Sequence, residues 1–393
     1  MATAPAPSAV HMQRFTVPFE YPVVFTRGLL ETGNETLAWS LSRLEPAAEH
    51  RALVVVDDGL ASQWPSLDAD LAKYFAHHAG LKLAGPVRYV PGGEAAKAGS
   101  GTVDAVLGWI AEARLDRHAY VVALGGGAVL DAVGYATALA HRGVRLVRVP
   151  TTVLAQNDAG VGVKNGINAF GGKNFLGTFE PPAAVLNDIN WVRTLPDRDR
   201  IAGIAEAVKV GLIRDASFFV WLEEHAEALH RGEDSATATM IRRCAELHLQ
   251  HIATSGDPFE RGSARPLDYG HWAAHKLEVL SEHALRHGEA VAIGMTLDAH
   301  YAGLVGRLPQ PHVRRVETLL CALGLPRWHD ALDLRTDGSR LVLAGLEEFR
   351  EHLGGQLTIT LLDEIGRGVE VHTIDEPQMD RAIEGLRDHR SAP

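Results

Sequence analysis

Two histidines four residues apart, His271 and His275 in DYGHWAAHKLE, fall on one face of a helix, and His287 opens the next helical run in LRHGEAVAIGM. Upstream, Glu206 and Lys209 stand at i, i+3 in the otherwise apolar string IAGIAEAVKVGLI, so they also share a face. Two imidazoles and one carboxylate make the three-ligand set of a catalytic zinc site, which leaves one coordination position for a substrate oxygen. A glutamate and a lysine in such apolar company are either a buried ion pair or site residues. With 20 histidines in the chain, spacing alone does not separate ligands from ordinary histidines.

A second group of residues suits a nucleotide. Gly125, Gly126 and Gly127 follow an apolar run over 120–124 and open a helical pattern, so their amides and the helix N-terminus suit a pyrophosphate; a tight turn reads the same way. Asp131, one turn into that helix, faces either a ribose hydroxyl or the helix dipole. Glu94 and Lys97 follow Gly92-Gly93 at a strand end and offer a carboxylate and an ammonium to ribose and phosphate, or form a solvated turn. The segment VPTTVLAQNDAGVGVKNGINAFGGKN sets Thr151, Thr152, Asp158, Lys164, Lys173 and Asn174 among five glycines, which reads as a loop region that wraps an anion.

The elements that must hold these groups follow from length and periodicity. The chain has 393 residues, enough for two or three domains, and 46% hydrophobic against 22% charged residues is a globular balance. From residue 14 to about 188, β-branched runs at 52–56, 87–90, 120–124, 144–149 and 183–186 alternate with helical patterns at 61–78, 101–114 and 127–141. That alternation predicts a Rossmann-like α/β domain around a mainly parallel sheet. After about residue 191 long helical runs dominate, at 198–213, 216–231, 234–253, 271–281, 287–306 and 312–323, with one late hairpin of 356–362 against 368–373. The expected organisation is a flexible tail over 1–13, a nucleotide-binding α/β domain over 14–190 and an all-α metal and substrate domain over 191–393. A cleft between the two halves is the place for a reaction.

Net charge −11 excludes a global basic field for nucleic acid or an anionic membrane. No run of 18 apolar residues occurs, and the start lacks the basic and apolar regions of a signal peptide. Cys244 and Cys321, both in apolar helical patterns, read as two buried reduced thiols of a cytoplasmic protein.

The strings GGGAVLDAVGYATALAHRG, RVPTTVLAQNDAGVGVKNGIN, GGKNFLGTF, GIAEAVKVG and DYGHWAAHKLE followed by RHGEAVAIGM resemble the 3-dehydroquinate synthase superfamily, the sugar phosphate cyclases, from about residue 50 to 375. Within it they look most similar to an EboD-like branch rather than to the shikimate-pathway enzyme. The resemblance implies an NAD-bound, zinc-dependent (or cobalt-dependent) homodimer that cyclises a heptulose phosphate with phosphate elimination and aldol closure, the hydride being returned within each turnover. It implies Glu206, His271 and His287 as metal ligands. Asp158, Lys164, Lys209 and His275 would surround substrate hydroxyls and phosphate, and Asn174 would contact the phosphate with Arg142, which in the family reaches the partner subunit's site. Glu94, Lys97, Gly125, Gly126, Gly127, Asp131, Thr151, Thr152 and Lys173 match the nicotinamide-cofactor shell.

Departures from the shikimate-pathway pattern concern the substrate's far end. Ala264 and Asp268 stand where that enzyme has an arginine and an asparagine, His248 where it has a lysine, and Arg350 and Glu351, near His352, where it has a lysine pair. Arg265 or Arg350 is the available replacement cation. Fewer cations argue for an uncharged head, such as that of sedoheptulose 7-phosphate, because an uncompensated buried carboxylate is costly. A true 3-dehydroquinate synthase is the alternative, followed by a metal-dependent NAD alcohol dehydrogenase and a non-catalytic sugar-phosphate binder.

Overall fold

The computed structural model describes residues 10–259, 267–352 and 355–387. Residues 10–13 of the expected tail are exposed and without regular structure, and its first nine residues lie outside the described part, as do Ala264 and Arg265.

The first half is built on nine strands: β1 (Val23–Thr26), β2 (His50–Asp57), β3 (Leu81–Leu83), β4 (Arg88–Val90), β5 (Tyr120–Gly125), β6 (Arg145–Pro150), β7 (Lys164–Ala169), β8 (Gly172–Phe179) and β9 (Ala184–Asp188). Seven of them form one sheet in the order β1-β9-β6-β5-β2-β3, with β4 also on β2, and every pairing in it is parallel. The strand LVVV explains why: Leu53 and Val55 pack into one core, while Ala52, Val54 and Val56 pack into the core on the opposite face. A strand apolar on both sides belongs in the middle of a helix-covered parallel sheet.

Some expected elements are divided, and others are added. The run over 61–78 is two helices, Asp58–Gln63 and Leu67–His77, with Pro65 between them. Strand β1 is a half-buried edge of four residues, too short to stand out in the sequence. The segment expected as one long loop after Val149 is instead structured. It contains a π-helical turn, Ala155–Ala159, and then the antiparallel hairpin β7-β8, with Lys164 opposite Phe179.

The second half is helical, with long members Ile204–Arg214, Asp234–Thr254, His271–Leu280, His287–Leu304 and Gln310–Ala322. The late hairpin pairs Ile359–Glu364 with Arg367–Val371 antiparallel, and helices Ala344–His352 and Glu376–Gly385 add to the expected set. One expectation fails here. Cys244 is buried, but Cys321 is exposed. The apolar neighbours of Cys321, Leu319 and Leu320, take the inward face and turn it outward. Neither thiol is in a disulfide. Among the described residues, no helix is long and apolar enough to cross a membrane.

Candidate active site

On the sheet side, β5 ends at Gly125, Gly126 caps the helix Gly127–Leu139 in an extended conformation, and the turn passes against neighbouring elements. A Cβ on Gly126 would lie 3.2 Å from Thr152 Cγ2, and one on Gly127 3.0 Å from Ala159 Cβ. The glycines are required by close approach, and the helix N-terminus is left facing the ends of the central strands. Thr151 donates its amide to the Gly125 carbonyl at 3.0 Å, and Thr152 Oγ1 accepts from the Ala155 amide at 3.1 Å. Lys97 is buried and bonds Asp131 at 2.7 Å. Glu94 is exposed and accepts from Asn168 at 3.3 Å, while the Asn174 amide donates to the Asn168 side chain at 2.9 Å. Glu94, Lys97, Asp131 and the glycine turn therefore belong to one neighbourhood at the carboxyl edge of the sheet.

Sequence reasoning overlooked Asp57. It closes β2, accepts from the Gly59 amide at 2.9 Å, and abuts the positions of both Gly92 and Gly125. Burial raises its carboxyl above the usual range against the pull of those amide bonds. An acidic pair ending an apolar parallel strand was the available signal.

On the helical side, two glycine contacts bring distant sequence together. A Cβ on Gly288 would lie 1.8 Å from the Ala202 carbonyl oxygen, and one on Gly294 would lie 2.1 Å from the Gly270 carbonyl oxygen. The first contact brings the start of helix His287–Leu304 against the segment leading to Glu206. The second crosses that helix closely over the start of His271–Leu280. Asp298, fully buried in the same helix, accepts from the Gly270 amide at 3.0 Å and from Trp272 Nε1 at 2.9 Å, pinning both neighbours of His271.

Glu206 is completely buried, with Oε1 facing His287 Nε2 at 3.6 Å and His271 Nε2 at 3.7 Å. Its Oε2 is ion-paired with Lys209, itself buried, and neither oxygen receives a well-aligned hydrogen bond. The Glu206–Lys209 pair is thus a buried ion pair that also stands beside two imidazoles. Burial pushes the Glu206 carboxyl up, but the Lys209 ammonium and the two imidazoles outweigh it and hold the group down at about 2. Burial and the Lys209 charge lower His271 to about 3. His287 goes the other way: the Glu206 and Glu278 carboxylates overcome its burial and raise it well above an ordinary histidine.

The ligand atoms of Glu206, His271 and His287 all lie within 4.8 Å of one another. A buried anionic oxygen without donors, between two imidazole nitrogens, fits a divalent cation. His275 is exposed beside this set, its ring centroid 5.5 Å from that of His271. Asp158, on the π-helical turn, faces His248 Nδ1 at 2.8 Å, and the charges of His248 and Lys209 outweigh its burial and hold its carboxyl far below the ordinary range. The Asp268 carboxylate lies close enough to Lys209 to help hold that ammonium charged, after Glu206 and Asp158.

Four site residues differ in their surroundings. Lys173, reaching from β8, bonds Glu278 of helix His271–Leu280 at 2.8 Å. Lys164 is exposed at the start of β7. Arg142 is exposed just past the far end of helix Gly127–Leu139, about 20 Å from the glycine turn at 1.5 Å per residue. Arg350, a candidate replacement cation, is engaged on helix Ala344–His352 by Glu347 and by the Gly355 carbonyl.

A further positioning group is Arg148, fully buried on β6, which donates to the carbonyls of Gly160, Gly162 and Lys164 at 3.2, 2.8 and 2.8 Å. It fixes the bend between Asp158 and Lys164. A lone arginine in the strand RLVRVP carried no sequence signal for that role.

Comparison with known proteins places this geometry in context. Residues 87–202 match the family model described as 3-dehydroquinate synthase N-terminal, and residues 203–341 match 3-dehydroquinate synthase C-terminal. A 3-dehydroquinate synthase of Bradyrhizobium sp. is 36% identical over 365 residues, 90% of either chain. A 2-epi-5-epi-valiolone synthase of Streptomyces glaucescens is 38% identical over 263 residues, 67% of this chain and 66% of the relative. The solved structure of ValA, the 2-epi-5-epi-valiolone synthase of Streptomyces hygroscopicus subsp. jinggangensis, with NAD+ and Zn2+ bound, has 31% identity and a TM-score of 0.84 over 96% of this chain and 99% of that one. A parallel sheet with a glycine turn, a helical half with a buried carboxylate between imidazoles, and these matches along nearly the whole chain agree: the chain belongs to the 3-dehydroquinate synthase family, the sugar phosphate cyclases, whose members are enzymes of the carbon–oxygen lyase type.

Proposed function

We propose that this chain is an NAD- and metal-dependent cyclase of a heptulose phosphate with an uncharged head, of the sedoheptulose 7-phosphate type. The observation that carries the reading is Glu206, fully buried, with Oε2 paired to Lys209 and Oε1 lacking a hydrogen-bond donor between Nε2 of His271 and Nε2 of His287. Those three residues would hold the divalent metal, and Gly125, Gly126, Gly127, Thr151, Thr152, Glu94, Lys97 and Asp131 would hold NAD. When bound, these groups supply reversible hydride transfer and polarisation of a hydroxyl oxygen.

The protein's own side chains then have definite tasks. Asp158 orients a substrate hydroxyl, and Lys209 and Lys164 stabilise oxygen atoms that gain negative charge. His275, open to the cleft beside His271, is the imidazole placed to pass a proton to or from the substrate. Asn174 holds the phosphate from one chain. Arg142 serves the partner's site in a homodimer, since it stands a helix length from its own chain's glycine turn. The boundary between the two working halves falls near residue 190.

Asp268 and His248 support the uncharged head. Asp268 adds a negative charge near Lys209, and His248 is already engaged by Asp158, so neither position offers a cation to a carboxylate. Two like charges about 4 Å apart repel by roughly 4 kcal/mol at an effective dielectric near 20. Discrimination of at least tens-fold follows. A 3-dehydroquinate synthase activity is the second reading, favoured by the 36% identity over 90% of the chain to a relative of that name. Comparing kcat/KM for sedoheptulose 7-phosphate and for 3-deoxy-arabino-heptulosonate 7-phosphate, with phosphate release as the readout, decides between them. Preference for the carboxylated sugar would establish the second reading. Phosphate should appear without accumulation of NADH; stoichiometric NADH would mean a dehydrogenase.

The partner contribution has its own test. Mixing inactive Arg142→Ala chains with inactive Lys209→Ala chains should restore activity, because one hybrid site then holds every group. No recovery after verified subunit exchange would return Arg142 to its own chain's site.

A further inference from the structure

Glu278 lies one turn beyond His275 on the helix that carries His271, is buried, and has none of the tasks assigned above. Its Oε2 lies 3.4 Å from His287 Nδ1, the ring nitrogen opposite the one that faces Glu206. Its Oε1 accepts from Lys173 Nζ at 2.8 Å. Lys173 comes from the β7-β8 hairpin of the sheet half, so this short chain of contacts crosses from one half of the protein to the other.

We propose that Glu278 is a positioning residue that orients His287 toward the metal, and that Lys173 holds Glu278 in place for that role. The inference rests on the metal reading of Glu206, His271 and His287. An imidazole that gives Nε2 to a metal must carry its proton on Nδ1, and an acceptor there fixes both the tautomer and the ring plane. His271 and His287 are served unequally. His271 Nδ1 faces a neutral acceptor, the Tyr269 carbonyl at 3.1 Å, whereas His287 Nδ1 faces a carboxylate, which also raises the basicity of the ring. Glu278 is 4% exposed at its side chain, and a carboxylate at that depth needs a counter-charge, which Lys173 supplies.

Glu278 as a direct ligand is the competing reading, because His275, Glu278 and His287 also lie within 4.8 Å of one another. Two contacts argue against it. Both Glu278 oxygens are engaged, by Lys173 and by His287 Nδ1, whereas Glu206 Oε1 has no hydrogen-bond donor and faces Nε2 of both His287 and His271.

The test uses the whole chain as wild type, Glu278→Ala, Glu278→Gln, Lys173→Met and the Lys173→Met/Glu278→Gln double variant. Zinc affinity is measured by competition with a chromophoric chelator, and the visible spectrum of the cobalt(II) form reports the ligand set. Far-UV circular dichroism and a cooperative thermal melt check folding. Glu278→Ala and Glu278→Gln should bind one zinc per chain about 10–100-fold more weakly with an unchanged cobalt band pattern. Lys173→Met should lose a few-fold, and the double variant should be no weaker than Glu278→Gln. Wild-type zinc affinity in both Glu278 variants overturns the proposal, and a changed band pattern overturns it in favour of a ligand role. Additive losses in the double variant overturn the part played by Lys173. If Glu278→Ala fails the folding check, the near-isosteric Glu278→Gln decides alone. A wild-type chain that takes up no zinc overturns the metal reading itself, a result distinct from all of these.

Discussion

The two halves of the proposed site are made of different materials. The nucleotide side is mostly backbone: three consecutive glycines at the end of β5, a helix N-terminus, and a few flanking side chains such as Lys97 and Asp131. The metal side is all side chain, drawn from three helices and buried among apolar residues, with Glu206 fully and Lys209 almost fully removed from solvent. A backbone cradle tolerates exposure because its dipoles are fixed by the fold. A buried cluster of charges exists only while each charge is compensated. Damage to the metal side should therefore cost both chemistry and stability, and damage to the nucleotide side mainly affinity.

The largest effect should come from His271→Ala and Glu206→Ala. Elemental analysis should find metal lost from both, with turnover down by at least about 10³-fold, on the scale of losing a principal electrostatic group. Glu206→Ala should in addition lower the unfolding free energy by roughly 3–5 kcal/mol, because Lys209 is left buried without its carboxylate. Retention of metal and activity by His271→Ala would remove the ligand assignment. If Glu206→Ala were as stable as the wild type, the contrast between the halves would fail.

Gly126→Val should come next. Its side chain would meet Thr152 and crowd the turn, so NAD affinity by calorimetry should fall about 100-fold while metal content stays at the wild-type level. Equal loss of metal would show that the two halves do not fail independently.

The smallest effect concerns Asp298, whose carboxyl is pushed up to about 7 by burial against the pull of its bonds from Trp272 and Gly270. An unfolded aspartate releases its proton near pH ~4. Between those values the folded state binds more protons, so this contribution to stability is full below pH ~4, is lost as pH rises to about 7, and is flat above. Asp298→Asn cannot accept from both donors and should melt lower. The melting gap between wild type and variant should narrow by a few degrees from pH 4.5 to pH 7.5 in metal-free protein. A gap that stays constant with pH would mean that Asp298 is ionised throughout.

Legibility in the sequence followed the same division. Strands β2 and β5 were readable because both faces are apolar, and the glycine turn because it joins a strand to a helix within a few residues. The residue types of the proposed metal set stood out in HxxxH, HGE and AEAVK. Asp57, Glu278, Asp298 and Arg148 were not, because an isolated charged residue looks the same whether solvent or protein will surround it. Cys321 was misread for the converse reason, since apolar neighbours in sequence do not say which way a helix turns.

Local sequence determined the chemistry on offer: period-2 and period-3.6 patterns set an α/β half followed by a helical half, and residue types set an anion cradle and an imidazole–carboxylate set. What only tertiary structure decided is which of those groups meet. Gly288 against Ala202 and Gly294 against Gly270 are contacts between residues tens of positions apart, and a side chain of even one carbon there would separate Glu206 from His271 and His287. Helix spacing is set by such close approaches rather than by periodicity, and compensation of buried charge depends on that spacing.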